Sequence, residues 1–148
     1  VLGKFLASLL IVVLTLVPTL IYYISVYQLG ISKGNIDTGA VIGSYLGLIL
    51  LGGAFISIGL FTSSLGKNQI IAFTLSVFLC FISFSAFDSI SKLIAFQTFE
   101  SSLTSLGINQ HYQSISRGVL DSRDFIYFLS FAGWFLLLTK TVLGARKW

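Results

Sequence analysis

Gly59-Leu60-Phe61-Thr62-Ser63-Ser64-Leu65-Gly66-Lys67-Asn68-Gln69-Ile70-Ile71-Ala72-Phe73 sets a short polar turn with one cation between two long apolar runs. Each run is long enough to cross a bilayer, whose hydrocarbon core takes about 20 apolar residues of helix. The polar stretch therefore reads as a tight reversal at a membrane face, and its lone Lys67 assigns that face to the cytoplasm. Gly39 to Phe61 forms the span before it and Gln69 to Phe87 the span after it.

In the earlier of these spans Gly39, Gly43 and Gly47 recur every fourth residue. That spacing puts them on one helical stripe, where missing side chains let two backbones approach closely in lipid. The plain alternative is that glycine is simply frequent, at 14 of 148 residues; the threefold repeat favours packing in the outer half of the span. In the later span Thr74, Ser76, Ser83 and Ser85 can line a polar path, or bond back to their own helix carbonyls, the safer reading.

Further out, Phe5 to Tyr27 is a span with Lys4 at its inner end and Tyr22, Tyr23 and Tyr27 at the outer interface. Pro18 leaves the carbonyl of Leu14 without a helical donor, which predicts a kink, with Thr15 and Thr19 placed to help satisfy the backbone. Such a kink is as a rule a matter of shape; a hinge is the sharper reading. Gln28 to Thr38 is a short outer loop in which Lys33 and Asp37 balance. Phe125 to Leu143 is the last span, ending on Lys140, Arg146, Lys147 and Trp148.

Between the last two spans lies one long polar segment, Asp88 to Asp124. Its first half spaces Ile90, Leu93, Ile94, Phe96, Phe99, Leu103 and Leu106 mostly three and four apart and stops at Gly107. This predicts an amphipathic helix with a glycine cap, lying on or dipping into the outer leaflet. In its second half Asp121 can cap the last span with Asp124 at the third helical position, and Leu120 and Phe125 sit where a hydrophobic staple would form. With the four spans alternating, the inner side collects Lys4, Lys67, Lys140, Arg146 and Lys147, and all five acids lie outside. The expected topology has both ends of the chain in the cytoplasm.

Composition agrees. Apolar residues make up 55% and charged ones only 9%, against about a quarter charged in soluble domains. The expected class is an all-α membrane protein of four transmembrane helices, at 5–27, 39–61, 69–87 and 125–143, with the outer segment 88–124. The net charge of +4 does not make a nucleic-acid binder, because the cations are scattered at the ends of apolar runs rather than gathered on one face. Cys80, the single cysteine, reads as a small lipid-facing or packing residue. Phe5 to Tyr27 is too long in its apolar core for a signal peptide and has no small-x-small cleavage site. The opening Val1-Leu2-Gly3-Lys4, with no Met, reads as a fragment or a processed product.

Few residues carry chemistry. Only His111, Asp121 and Asp124 bring a base near acids, with neither a second histidine nor a ligand spacing, so no catalytic or metal site is assigned. No phosphate-binding loop of the Walker type occurs, and no ionisable group sits mid-span as an ion-coupled carrier would require. The chain is expected to bind no cofactor itself, with energy entering from another chain.

Three separated stretches resemble the permeases of ABC-2 type exporters. Val1-Leu2-Gly3-Lys4-Phe5-Leu6-Ala7 resembles the start of that family's third span. Gly59 to Phe73, with Gly59, Ser63, Ser64, Asn68 and Gln69, resembles its turn between the fourth and fifth spans. Ser114 to Phe128, with Arg117, Gly118, Asp121, Arg123, Asp124 and Tyr127, resembles the segment leading into the sixth. The nearest subgroup is the gliding-motility-associated permease subunits, the GldF group, which Ile21 to Gly30 and Gly34 to Gly39 also resemble. The resemblance covers essentially the whole chain and implies spans three to six of a six-span subunit. It further implies a cytoplasmic ABC ATPase subunit that binds ATP, a second permease half, identical or different, and a bacterial inner membrane. The turn Ser63 to Gln69 would rest near the ATPase, and the outer segment would form a re-entrant gate. The alternative from another class is a structural membrane subunit of a motility or secretion complex that moves nothing.

Overall fold

The computed structural model describes residues 1–30, 37–86, 89, 105–119 and 121–145. Helix α1 is Leu2–Leu29, α2 Thr38–Leu65, α3 Gln69–Phe81, α4 Ile108–Ser116 and α5 Ser122–Ala145, and no strand occurs among the described residues. α3 runs on into a five-residue π-helical turn, Ile82–Ala86. α1, α2, α3 with its π turn, and α5 are each long and apolar enough to cross a membrane. The chain is thus a multi-pass membrane protein, all-helical over the described residues; the first, second and fourth spans run one to four residues beyond the expected bounds at either end, and the third, Gln69–Ala86, keeps to the expected 69–87. The amphipathic helix expected before Gly107 falls largely outside the described residues, as do Lys33, Asp88, Leu120, Arg146, Lys147 and Trp148.

The reversal between α2 and α3 is shorter than the polar composition of 59–73 implies. α2 continues to Leu65 because Thr62 and Ser64, both buried, turn their hydroxyls onto their own helix, Thr62 to the Gly59 carbonyl at 3.0 Å and Ser64 to Phe61 at 2.6 Å. Gly66 then breaks into extended backbone, and Asn68 caps α3 by accepting from the Ile70 N–H at 3.0 Å. The turn is therefore Gly66, Lys67 and Asn68 alone, with Ser63 and Ser64 inside the helix.

Back-bonding also accounts for Thr74, Ser76 and Ser85 in the third span, whose hydroxyls donate to Ile70, Phe73 and Phe81 carbonyls at 3.0, 2.9 and 2.9 Å. α1 passes through Pro18 as one helix. Thr15 and Thr19 donate to the carbonyls of Val12 and Leu16, at 2.7 and 2.5 Å, rather than to that of Leu14, because these hydroxyls reach back about three residues.

α2 is the central helix and packs against α1, α3, α4 and α5, most extensively against α5. α1 lies antiparallel to it: Leu9 and Phe5 face Gly53, Val12 faces Gly52, and the Thr19 and Tyr45 hydroxyls meet at 2.6 Å. Phe61 packs edge-on to Phe135 of α5 at 5.6 Å. One end of the bundle thus gathers the start of α1, the turn 66–68 and the end of α5; the other gathers the end of α1, the start of α2 and α4. No residue of α1 or α3 is buried, so their apolar outer faces suit a membrane.

Candidate functional site: the dock of α4

α4 carries only two aliphatic residues, Ile108 and Ile115, seven apart and so on one face. Both are fully buried, in a cluster with Ala54 of α2 and Phe128 of α5, against which Leu50, Phe55, Phe84 and Phe131 also pack. The π turn delivers Phe84, which meets Phe55 edge-on at 6.5 Å. Gly107 opens α4 as its N-cap, in extended rather than left-handed conformation; the helix expected before it lies outside the described residues. Gly118 ends α4 instead: its φ of +82° is the left-handed conformation that glycine adopts without cost, and its N–H donates to the Ile115 carbonyl at 2.9 Å.

The glycine stripe of α2 is the floor of this dock. A Cβ on Gly43 would collide with the Ile115 carbonyl oxygen and stand 2.8 Å from Gly118 Cα, and one on Gly47 would lie 3.3 Å from Ile115 and Tyr112 side-chain atoms. In return, a Cβ on Gly118 would meet Ala40 N at 3.0 Å and the Gly39 carbonyl carbon at 3.1 Å. The close packing expected of Gly39, Gly43 and Gly47 is present, and the partner is the short α4 with its terminal turn. Ser44, between the glycines, bonds the Ala40 carbonyl at 2.8 Å and the Ser116 carbonyl at 3.1 Å, which ties the end of α4 to α2.

His111 joins α4 to α5. Its Nδ1 lies 2.5 Å from Asp124 Oδ1, its Nε2 2.8 Å from the Ser105 carbonyl, and its ring stacks on Tyr127 at 4.0 Å. Tyr127 donates its hydroxyl to the Leu106 carbonyl at 2.6 Å, so both aromatic residues hold the strand of chain that leads into α4. Asp124 is 5% exposed, and its Oδ2 has no hydrogen-bond partner. Capping therefore accounts for only one of the two acids. Asp121 accepts from the Arg123 N–H at 3.0 Å and starts α5, whereas Asp124 turns inward to the histidine because α4 lies beside it.

The remaining motif positions lie apart from the dock. Gly3, Lys4, Ser63 and Gln69 are exposed at the opposite end of the bundle, with Asn68 holding its cap. A Cβ on Gly3 or Gly59 would touch nothing within 4 Å, so the fold makes no demand for glycine there. Arg117 and Arg123 are exposed beside the dock. The sequence grouped His111 with Asp121 and Asp124 but did not show that Asp124 is the one it pairs with across 13 residues, nor did it point to Ser44 or to the backbone carbonyls that hold the two rings. The seven-residue spacing of Ile108 and Ile115 is the one feature of α4 that hints at a buried face, and it is too short to stand alone.

An Asp–His pair serves general-base chemistry when its far nitrogen faces a nucleophile. Here that nitrogen faces a backbone carbonyl, and no group of three or more His, Cys, Asp or Glu that could hold a metal occurs among the described residues. The arrangement is suited to holding α4 in place. Comparison with family models, curated proteins and solved structures returns no match for this chain.

Proposed function

We propose that the chain is a membrane-spanning permease subunit of an ATP-driven export system of the ABC-2 type, linked to gliding motility, and that it forms a translocation path by alternating access. The observation that carries this reading is the dock. A short helix between two spans is seated inside the bundle, with Ile108 and Ile115 at 0% exposure, a feature that a plain anchor does not need and an outer gate does. The three motif stretches quoted above support the same reading.

On this proposal α1, α2, α3 and α5 take the places of spans three to six, in a bacterial inner membrane with both ends of the chain cytoplasmic. A separate cytoplasmic ABC ATPase subunit binds and hydrolyses ATP. A second permease half, identical or different, completes the path. ATP drives the change only through the partner's unequal affinity for the inward- and outward-facing states. The exposed Lys4, Lys67 and Gln69 lie at the end that would face the ATPase.

The test is to purify the full-length subunit in mild detergent and assay any P-loop ATPase that accompanies it. Recovery of a stoichiometric ATPase whose turnover changes in Lys67→Ala and Gln69→Ala, neither of which caps a helix, supports the exporter. Recovery of the subunit without an ATPase across several detergents leaves a structural membrane subunit as the better account.

A further inference from the structure

We infer that His111 and Asp124 form a proton-dependent latch that holds α4 in its dock. The inference rests on the fold and stands whether or not the chain is a permease. The Ser105 carbonyl can only accept, so the Nε2 that lies 2.8 Å from it carries a proton. Nδ1 and Asp124 Oδ1, 2.5 Å apart, share one more; without it, two acceptors would face each other across that gap. The closed pair therefore holds two protons and is neutral as a unit.

Changing that count by one in either direction opens the latch. Loss of the shared proton leaves a net negative charge on a carboxylate that is 5% exposed and whose Oδ2 has no partner to take over. Gain of a proton on Oδ2 leaves an imidazolium facing a neutral acid, with its counter-charge gone. Among the described residues of the helices packed against it, nothing buffers the change. α2, from Thr38 to Leu65, and α3 with its π turn, from Gln69 to Ala86, contain no Asp, Glu, Lys, Arg or His.

On α5, Tyr127 faces the imidazole but spends its hydroxyl on the Leu106 carbonyl. On α4 itself, Tyr112 lies against Gly47 and Arg117 is exposed, as are Asp121 and Arg123 at the start of α5. The two isoleucines, the glycine floor and the Ser44 bond, which also hold α4, do not titrate. The latch lies at the end of the bundle away from the turn 66–68, so it responds to the pH of the compartment on that side.

The test places spin labels at Gln113→Cys and Ile126→Cys, both exposed, in full-length protein carrying Cys80→Ser, in lipid nanodiscs. Their separation is measured from about pH 5 to 8. Alongside it, the ring nitrogens of His111 are followed by nitrogen-15 NMR and assigned by their loss in His111→Gln. The expected result is one docked distance while both ring nitrogens are protonated and Asp124 is ionised. Deprotonation of Nδ1 is then accompanied by release of α4, the docked-to-released ratio falling by up to about tenfold per pH unit, the slope of one proton.

The double variant His111→Gln/Asp124→Asn, which has no proton to lose, should give a distance that does not vary with pH. A wild-type distance that stays constant while His111 titrates overturns the latch. So does a docked state with unprotonated Nδ1, or a double variant that follows pH as the wild type does.

Discussion

At Gly43 the backbones of α2 and α4 come so close that a single methyl group has no room, and at Gly118 the same contact is met from the other side with φ at +82°. Gly118→Ala should lower the thermal stability of the purified protein by about 1–2 kcal/mol from the left-handed backbone alone, and by more from the contact with Ala40. Gly59→Ala, with nothing within 4 Å of the new methyl, should be neutral or raise stability by about 0.5–1 kcal/mol. Thermal unfolding in one detergent compares the two variants with the unaltered protein. The two acids at the start of α5 separate in the same assay. Asp121→Ala removes a helix cap, worth about 1 kcal/mol, whereas Asp124→Ala breaks a buried pair and should cost about 3–5 kcal/mol. Equal losses would mean that Asp124 does no more than cap. The acids were legible as helix starters because capping is local; that one of them serves a tertiary pair was not, since nothing in a 13-residue separation records which way a side chain turns.

Among the elements, α4 was the hardest to read. Two isoleucines in nine residues are too few for a periodic signal, which needs a window of about 11–18 residues, and the burial of both comes from neighbours that lie far away in the chain. The spans were legible because length and apolarity alone define them. Their ends were less so: Thr62 and Ser64 look like turn residues, yet in an apolar setting each satisfies its hydroxyl on its own helix, which extends α2. Gly107 read as a stop and is also a start, because an extended glycine serves as an N-cap. If the dock is held as described, Ile108→Ala and Ile115→Ala should each cost about 2–5 kcal/mol. Hydrogen exchange should then rise first in 108–118, with α2 and α5 still protected. Uniform loss of protection across all helices would show that α4 has no separate stability.

For the molecule as a whole, the antiparallel order of helices puts the turn 66–68 and α4 at opposite ends of the bundle. In the Cys80→Ser background, Lys67→Cys and Gln113→Cys should therefore react with a membrane-impermeant maleimide from opposite sides of sealed vesicles. Labelling of both from one side contradicts the arrangement. The charge asymmetry then makes a narrower claim, that Lys67 is on the cytoplasmic side. The same layout bears on the order of assembly. Ser44 and Ser116 are 72 residues apart, so at about 5–20 residues per second of synthesis the glycine floor of α2 waits roughly 4 to 14 s for the helix that will fill it. Until then it is an open furrow in a newly inserted span, free to accept the wrong helix, from this chain or another. Ser44 alone is provided for, since it already has the Ala40 carbonyl of its own helix to bond.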